Sequence, residues 1–330
     1  DGVNLYADPK FVSCMLLPEL QVTLAGRRPN FGDAAPEITH KPPPEHPFSA
    51  VDYGYLERLY ARAEDDTARA RYGAALRWLT QGDVAGRREK AKARDWLLWH
   101  AAGPPASEAG LDDALTRRIE RSWVAGMKGL ALLRLGDQAA LLRFGPSLTH
   151  GDPDDLGLLY YAGGREWTYD LGYGLGSTHT HVGWASSTVS HCLVAVNERN
   201  QLAGPGSGGS LLFLADLPGM QAVRATSELS YAAEDVSRYQ RTAVLTDAGY
   251  LVDFFRVRGG TRHDYSFGSF AGNMEPFGVD ALEPRPGSLA EGVAWGERIL
   301  PDGDIEGYPN KPYWNPPPGN GYGFFHNVRR

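Results

Sequence analysis

The period of the apolar positions changes once along the chain, from about Lys128. Upstream, Leu56, Leu59, Tyr60 and Ala63 recur at the spacing of one helix face, and the series resumes at Ala75, Leu76 and Leu79 after the polar break Asp65-Asp66-Thr67. Trp96, Leu97 and Trp99 supply the bulk of a further helix expected from Ala91 to Ala101. Between Arg27 and Pro47 a proline-rich stretch, stiffest at Pro42-Pro43-Pro44, interrupts the helical pattern as a long connection of the kind that lines clefts. Downstream the period is that of strands. Leu130 to Leu135, the turn Gly136-Asp137 and Ala139 to Phe144 read as a hairpin, with Leu156 to Tyr161 as the next strand. Arg241 to Leu245 and Tyr250 to Val257 flank Thr246-Asp247-Ala248-Gly249 and make the clearest hairpin. Helices first and strands afterwards predict an α+β protein with segregated parts, not a parallel βαβ sheet.

Composition narrows the function classes. The chain has 330 residues, of which 42% are apolar and 11% aromatic, enough for packed cores in two domains. A net charge of -7 leaves no general basic footprint for nucleic acid, and no apolar run approaches the ~20 residues of a bilayer span. Cys14 and Cys192 lie too far apart for a zinc-ribbon spacing and are expected as buried thiols. Gly172, Gly174 and Gly176, like the Gly204 to Gly209 cluster, lack the strand-to-helix context of a nucleotide loop and read as turns.

The residues that carry chemistry lie between Thr149 and Cys192. They are His150-Gly151-Asp152-Pro153-Asp154-Asp155-Leu156, Asp170-Leu171-Gly172-Tyr173, and Ser190-His191-Cys192-Leu193. With His150 and Asp152 extended, a spacing of two puts both side chains on one face, and Asp170 and His191 come from later segments that could pair beside it. Imidazole with carboxylate oxygen suits zinc, and more oxygen ligands would favour manganese or calcium. Taken on spacing alone, turn carboxylates and two ordinary histidines explain the same residues.

The order of these segments resembles the heparinase II/III-like polysaccharide lyases. That family has a segment resembling H-G-H-x-D-x-L, then Asp-x-Gly, then Ser/Thr-His-Asn-Thr before a valine-rich strand. Pro29-Asn30-Phe31-Gly32-Asp33, Tyr239-Gln240-Arg241-Thr242 and His263-Asp264-Tyr265-Ser266-Phe267 also look familiar, so the resemblance covers most of the chain. Two positions depart from the pattern: Asp152 stands where the family often has His, and Cys192 where it often has Asn.

The resemblance implies a partial (α/α) toroid over residues 1–125 followed by an antiparallel β-sheet or sandwich domain over 126–330. It implies β-elimination on a uronate-containing acidic polysaccharide or oligosaccharide, of glycosaminoglycan or alginate type. It makes His150 a catalytic candidate, and Asp152, Asp170 and His191 the ligands of a divalent metal, zinc before manganese or calcium. Apart from the resemblance, Tyr173, three residues after Asp170, is a candidate acid for the leaving oxygen, with packing or a sugar platform as the alternative for an aromatic beside two glycines. The chain is expected to be part of a longer, periplasmic or secreted polypeptide that supplies further catalytic residues. The alternative reading is a noncatalytic carbohydrate-binding module of the same fold. A metal-dependent hydrolase is disfavoured, because no HExxH-type ligand pair is present.

Overall fold

The computed structural model describes residues 4–21, 29–32, 50–86, 110–148, 150–172, 181–269, 277–278, 282–290, 319–325 and 328–329. The chain divides into two compact units, Asp1–Pro29 with Pro42–Arg121, and Asn30–Lys41 with Ser122–Arg330. The first holds helices α1 (Pro9–Gln21), α2 (Ala50–Ala61), α3 (Asp66–Leu79) and α4 (Asp113–Glu120). Their apolar stripes meet in a core that includes Leu16, Leu56, Leu59, Leu76, Leu79 and Leu115. The polar break before α3 is its start signal, since Asp65 accepts from the Ala68 amide at 2.7 Å, and Asp112 caps α4 in the same way through Leu115 at 2.8 Å. Cys14 is exposed, contrary to expectation. It lies two positions from the buried Leu16 on α1, which turns it to the opposite face. The helix expected from Ala91 to Ala101 lies outside the described residues.

The second unit is built from antiparallel sheets. Five strands run in the order β1 (Trp123–Ala125), β2 (Leu130–Leu135), β3 (Gln138–Arg143), β4 (Leu158–Ala162) and β5 (Arg165–Glu166). A two-stranded ribbon pairs β6 (Val194–Val196) with β11 (His263–Tyr265). A second sheet has the order β10-β9-β8-β7, from β7 (Ser210–Leu217), β8 (Met220–Thr226), β9 (Arg238–Thr246) and β10 (Leu251–Arg258). Alternate residues of β2 and β3, Ala131, Leu133, Ala140 and Leu142, share one core with Val223, Ala225, Ala243 and Leu245 of β8 and β9. That parity sends Leu132, Leu141 and Arg143 to the other face of the first sheet, where they are also buried. The β2–β3 hairpin lies within a residue of the positions its alternation predicts, and the β9–β10 hairpin does too except that β9 begins at Arg238, three residues before the expected Arg241. The β7–β8 hairpin, turning at Pro218-Gly219, adds to them.

One side chain ties the second sheet to the loops of the first. Arg241, on the inner face of β9, is wholly buried. Its Nε and Nη2 donate to the two oxygens of Asp253 at 2.9 and 2.8 Å, and Nη1 donates to the carbonyls of Leu156, at 2.7 Å, and Cys192. Leu156 has φ 66°, a conformation that a bulky residue adopts only when its surroundings hold it there. Breaking a buried, hydrogen-bonded ion pair by removing one partner costs roughly 3–5 kcal/mol. Arg241→Met is therefore expected to lower the unfolding free energy by about that much in urea titrations. Arg241→Lys should recover little of it, because one ammonium cannot span both the carboxylate and the two carbonyls.

Candidate metal centre and catalytic residue

The loop after β3 and the segments leading to β6 converge on the buried far face of the first sheet. Successive turns follow β3: Gly151 N–H donates to Leu148 O at 2.8 Å, Asp154 N–H to Asp152 O at 2.9 Å, and Gly157 N–H to Asp154 O at 2.7 Å. His150 is in the left-handed region at φ 66°, so the expected extended pairing of His150 with Asp152 does not occur. The turn sends the two residues to different environments, His150 exposed and Asp152 buried. Gly32 fixes the turn from outside, for a Cβ there would lie 2.6 Å from the His150 carbonyl. Asn30, beside it, donates from Nδ2 to Asp170 O at 3.1 Å. The Asn30 to Gly32 segment therefore positions the site, a role its sequence did not announce.

Asp152, Asp170 and His191 are all buried, and one potential ligand atom from each lies within 4.8 Å of the others. Asp170 sits in a tight Asx turn, its Oδ1 accepting from Gly172 N–H at 2.8 Å with Gly172 at φ 62°, which explains the Asp-x-Gly spacing. Its Oδ2 is 3.3 Å from His191 Nδ1. His191 Nε2 is buried and has no hydrogen-bond partner among the described residues. Tyr173 lies outside the described residues.

Two further carboxylates crowd the same region. Asp154 pairs with the Arg143 guanidinium. Asp155 accepts at Oδ2 from Gly208 N–H at 2.9 Å, Ser227 Oγ at 2.9 Å and Ser230 Oγ at 2.5 Å. Gly208 thus gives the Gly204 to Gly209 cluster a structural task. Burial pushes Asp154 up to about 6 despite Arg143 and His191, which oppose the shift. Burial by itself would lower the His191 pKa, but Asp170, through its charge and hydrogen bond, together with Asp154 and Asp152, overrides this and raises it to about 9. The donor set fits a divalent cation on two counts. It combines carboxylate oxygens with an imidazole, and it leaves a buried ring nitrogen unsatisfied in a region of surplus negative charge.

No family model matches the chain, and no curated protein does. Among solved structures, a heparinase III matches 83% of this chain with a TM-score of 0.51 at 14% identity. The fold is heparinase-like. A heparan sulfate lyase, HepC from Pedobacter heparinus, matches 72% of the chain at 14% identity and a TM-score of 0.46. The chain spans 40% of the heparinase III and 31% of the Pedobacter lyase. In this heparinase-like fold, helices precede antiparallel sheets, in agreement with the α+β class expected from the chain's periodicity. No described helix is long and apolar enough to cross a membrane.

The His191 environment gives the metal-free protein a signature. A folded-state pKa of about 9 against 6.5 unfolded means that the contribution of His191 to stability is complete below about 6.5 and is lost as pH rises through 9. This contribution is on the order of 3 kcal/mol. The window lies above that of Asp154. A metal must displace the same proton, so the stabilisation it adds grows with pH. After chelation the melting temperature is expected to fall between pH 6.5 and 9, and the increment restored by added zinc to rise over the same range. In His191→Gln both trends should vanish, and a chelated wild type with a flat profile would remove the cluster as their source.

Proposed function

We propose that the chain carries part of the machinery of a polysaccharide lyase that cleaves uronate-containing acidic polysaccharide, of glycosaminoglycan or alginate type, by β-elimination. One observation carries this reading. Asp152, Asp170 and His191, from three separate segments in the order of the heparinase II/III pattern, converge within 4.8 Å in a heparinase-like fold. That the fold is shared with a heparinase III supports the class of substrate.

Elimination requires a base to remove the C5 proton of the uronate. The electron pair left behind forms the C4–C5 double bond, the bond from C4 to the glycosidic oxygen breaks, and that oxygen takes up a proton. The weak acidity of C5–H requires the uronate carboxylate to be neutralised at the same time. His150 is exposed, and its backbone is held by the Gly32 approach and the Leu148 turn. We assign it to the uronate, as base at C5 or as donor to the carboxylate, and Tyr173 to the leaving oxygen. Asp152, Asp170 and His191 would hold zinc, whose contribution is to bind the loop carrying His150 to the Asp170 turn and to offset the surplus carboxylate charge.

The test is a panel of uronate polymers given to the intact polypeptide, following the ultraviolet absorbance of the unsaturated product. Turnover on at least one polymer is expected, and absence of product on every one would overturn the reading. His150→Ala should lower kcat by about a hundredfold or more, the range for loss of a positioned acid or base, with an unchanged melting temperature. Full turnover in this variant would remove His150 from the mechanism.

A further inference from the structure

The second sheet sorts charge by parity. On β7 to β10 the residues facing the shared core alternate with those facing away, and the core set, Val223, Ala225, Ala243 and Leu245, fixes which is which. The two acidic residues on these strands, Asp216 and Asp253, both fall in the inward register. Asp216 accepts from Gln221 Nε2 at 2.7 Å, and Asp253 is held by Arg241. The outward register carries Arg224, Arg238, Arg256 and Arg258 and no acidic residue.

These arginines are arranged as a site rather than as scattered surface charge. Arg238 and Arg258 are direct cross-strand partners, and Arg256 stands two residues from Arg258 on the same face, opposite Gln240. Like charges placed opposite one another destabilise a sheet pair. Among the described residues no ion pair involves any of the three. The neighbouring row runs Phe254, Thr242, Arg224, Phe213 across all four strands. Phe254 is 50% exposed and Phe213 36% exposed. Arg224 lies 5.0 Å from the Phe213 ring centroid, and its Nε donates to Thr242 Oγ1 at 2.8 Å, which holds the guanidinium flat on the sheet. With strands about 4.8 Å apart, the two rings are roughly 14 Å from each other, the reach of several sugar units rather than one.

We propose that this outer face is a docking surface for an anionic polysaccharide chain, in addition to the site that holds His150. Guanidinium forks match carboxylate and sulfate oxygens, and the exposed phenyl rings offer apolar platforms for the C–H faces of sugars. Charge complementarity selects the occupant: in a chain of net charge -7 the outward register of these strands carries four arginines and no acid, Glu228 reaching only its edge through the Thr226 hydroxyl, and a repeating polyanion relieves the Arg238 to Arg258 repulsion along its length. The proposal rests on the lyase reading only for the choice of polymer. Its function would be to hold a long chain while a distal segment is cut.

The experiment compares two doubly substituted intact proteins that lose the same charge, R256Q/R258Q on this face and R117Q/R118Q on the exposed side of α4, with F254A as a third variant. Titrations with size-fractionated heparan sulfate and alginate oligosaccharides should show affinity falling by roughly tenfold in R256Q/R258Q. F254A should lose affinity too, R117Q/R118Q should match wild type in affinity, and no variant should melt lower than wild type, R256Q/R258Q melting slightly higher because the Arg238 to Arg258 repulsion is gone. KM should rise for polymer but not for the shortest cleaved oligosaccharide. Equal weakening in the two double variants would reduce the effect to net charge and overturn the proposal. So would a dimer that dissociates in R256Q/R258Q without any change in glycan affinity, for the face would then belong to a second copy. If wild type binds glycan through this face but cleaves no polymer, the lyase reading fails and the docking surface stands.

Discussion

The second unit is organised around the cost of burying negative charge. Asp152, Asp154, Asp155 and Asp170 are all buried, and the cationic groups reaching them from the described residues are the Arg143 guanidinium and the His191 imidazole. An ionised carboxylate taken from water costs several kcal/mol unless donors or cations replace the lost solvation. Each carboxylate imposes a demand on the chain around it. Asp155 draws a backbone amide and two serine hydroxyls from the β6–β7 and β8–β9 connections, and Asp154 requires an arginine projecting from β3. Asp170 requires a glycine two residues later that can take a positive φ. The remaining negative charge is what a divalent cation, or a histidine kept protonated, would balance.

Those demands explain why the loops have one conformation although they lack regular structure. Gln201 accepts from Asp155 N–H at 2.6 Å, donates to Asp155 O at 2.9 Å and donates to Tyr239 OH at 3.0 Å, and Tyr239 in turn donates to Val194 O. Thr188 donates from Oγ1 to Pro153 O at 2.7 Å and accepts there from Gln201 N–H at 2.8 Å. Arg241 completes the set at Leu156 and Cys192. The irregular backbone is thereby satisfied by side chains anchored in the second sheet, so the sandwich core and the acidic cluster are parts of one network. A loop held in this way presents His150 from a fixed backbone, as the role proposed for it requires.

Much of this framework is legible in the residues. Alternation bounded by Gly136-Asp137 and by Asp247-Ala248-Gly249 marks two hairpins, and the polar break at Asp65 marks the start of α3. The order of Asp152, Asp170 and His191 marks the cluster only through family resemblance, because spacing cannot distinguish ligands from turn carboxylates. The β7–β8 hairpin is obscured by its own irregularity. The run Leu211-Leu212-Phe213-Leu214 does not alternate, since the register shifts between Leu211 and Phe213 and one residue is absorbed in a bulge. The local geometry at His150 is hidden for a different reason. Its left-handed turn depends on Gly32, more than a hundred residues away, and no window around His150 contains that constraint. The partners of Asp155 lie 46 to 75 residues away, and the two carbonyls that Arg241 holds lie 85 and 49 residues away, again outside any local window.

Alternation also reconciles an acidic chain with the anionic glycan proposed as its ligand. Net charge is a sum over the whole surface, whereas a ligand meets one face of one element. On the strands of the second sheet a shift of one position separates Asp253, turned inward onto Arg241, from Phe254 and Arg256, turned outward. A one-residue slip in β10 would exchange these sets, burying arginine in the core and exposing the carboxylate that fixes Arg241. The pairing of Asp253 with Arg241 therefore fixes the register that keeps the outer face basic. The same ion pair that braces the Leu156 and Cys192 carbonyls beneath the acidic cluster determines which charges the sheet shows to solvent.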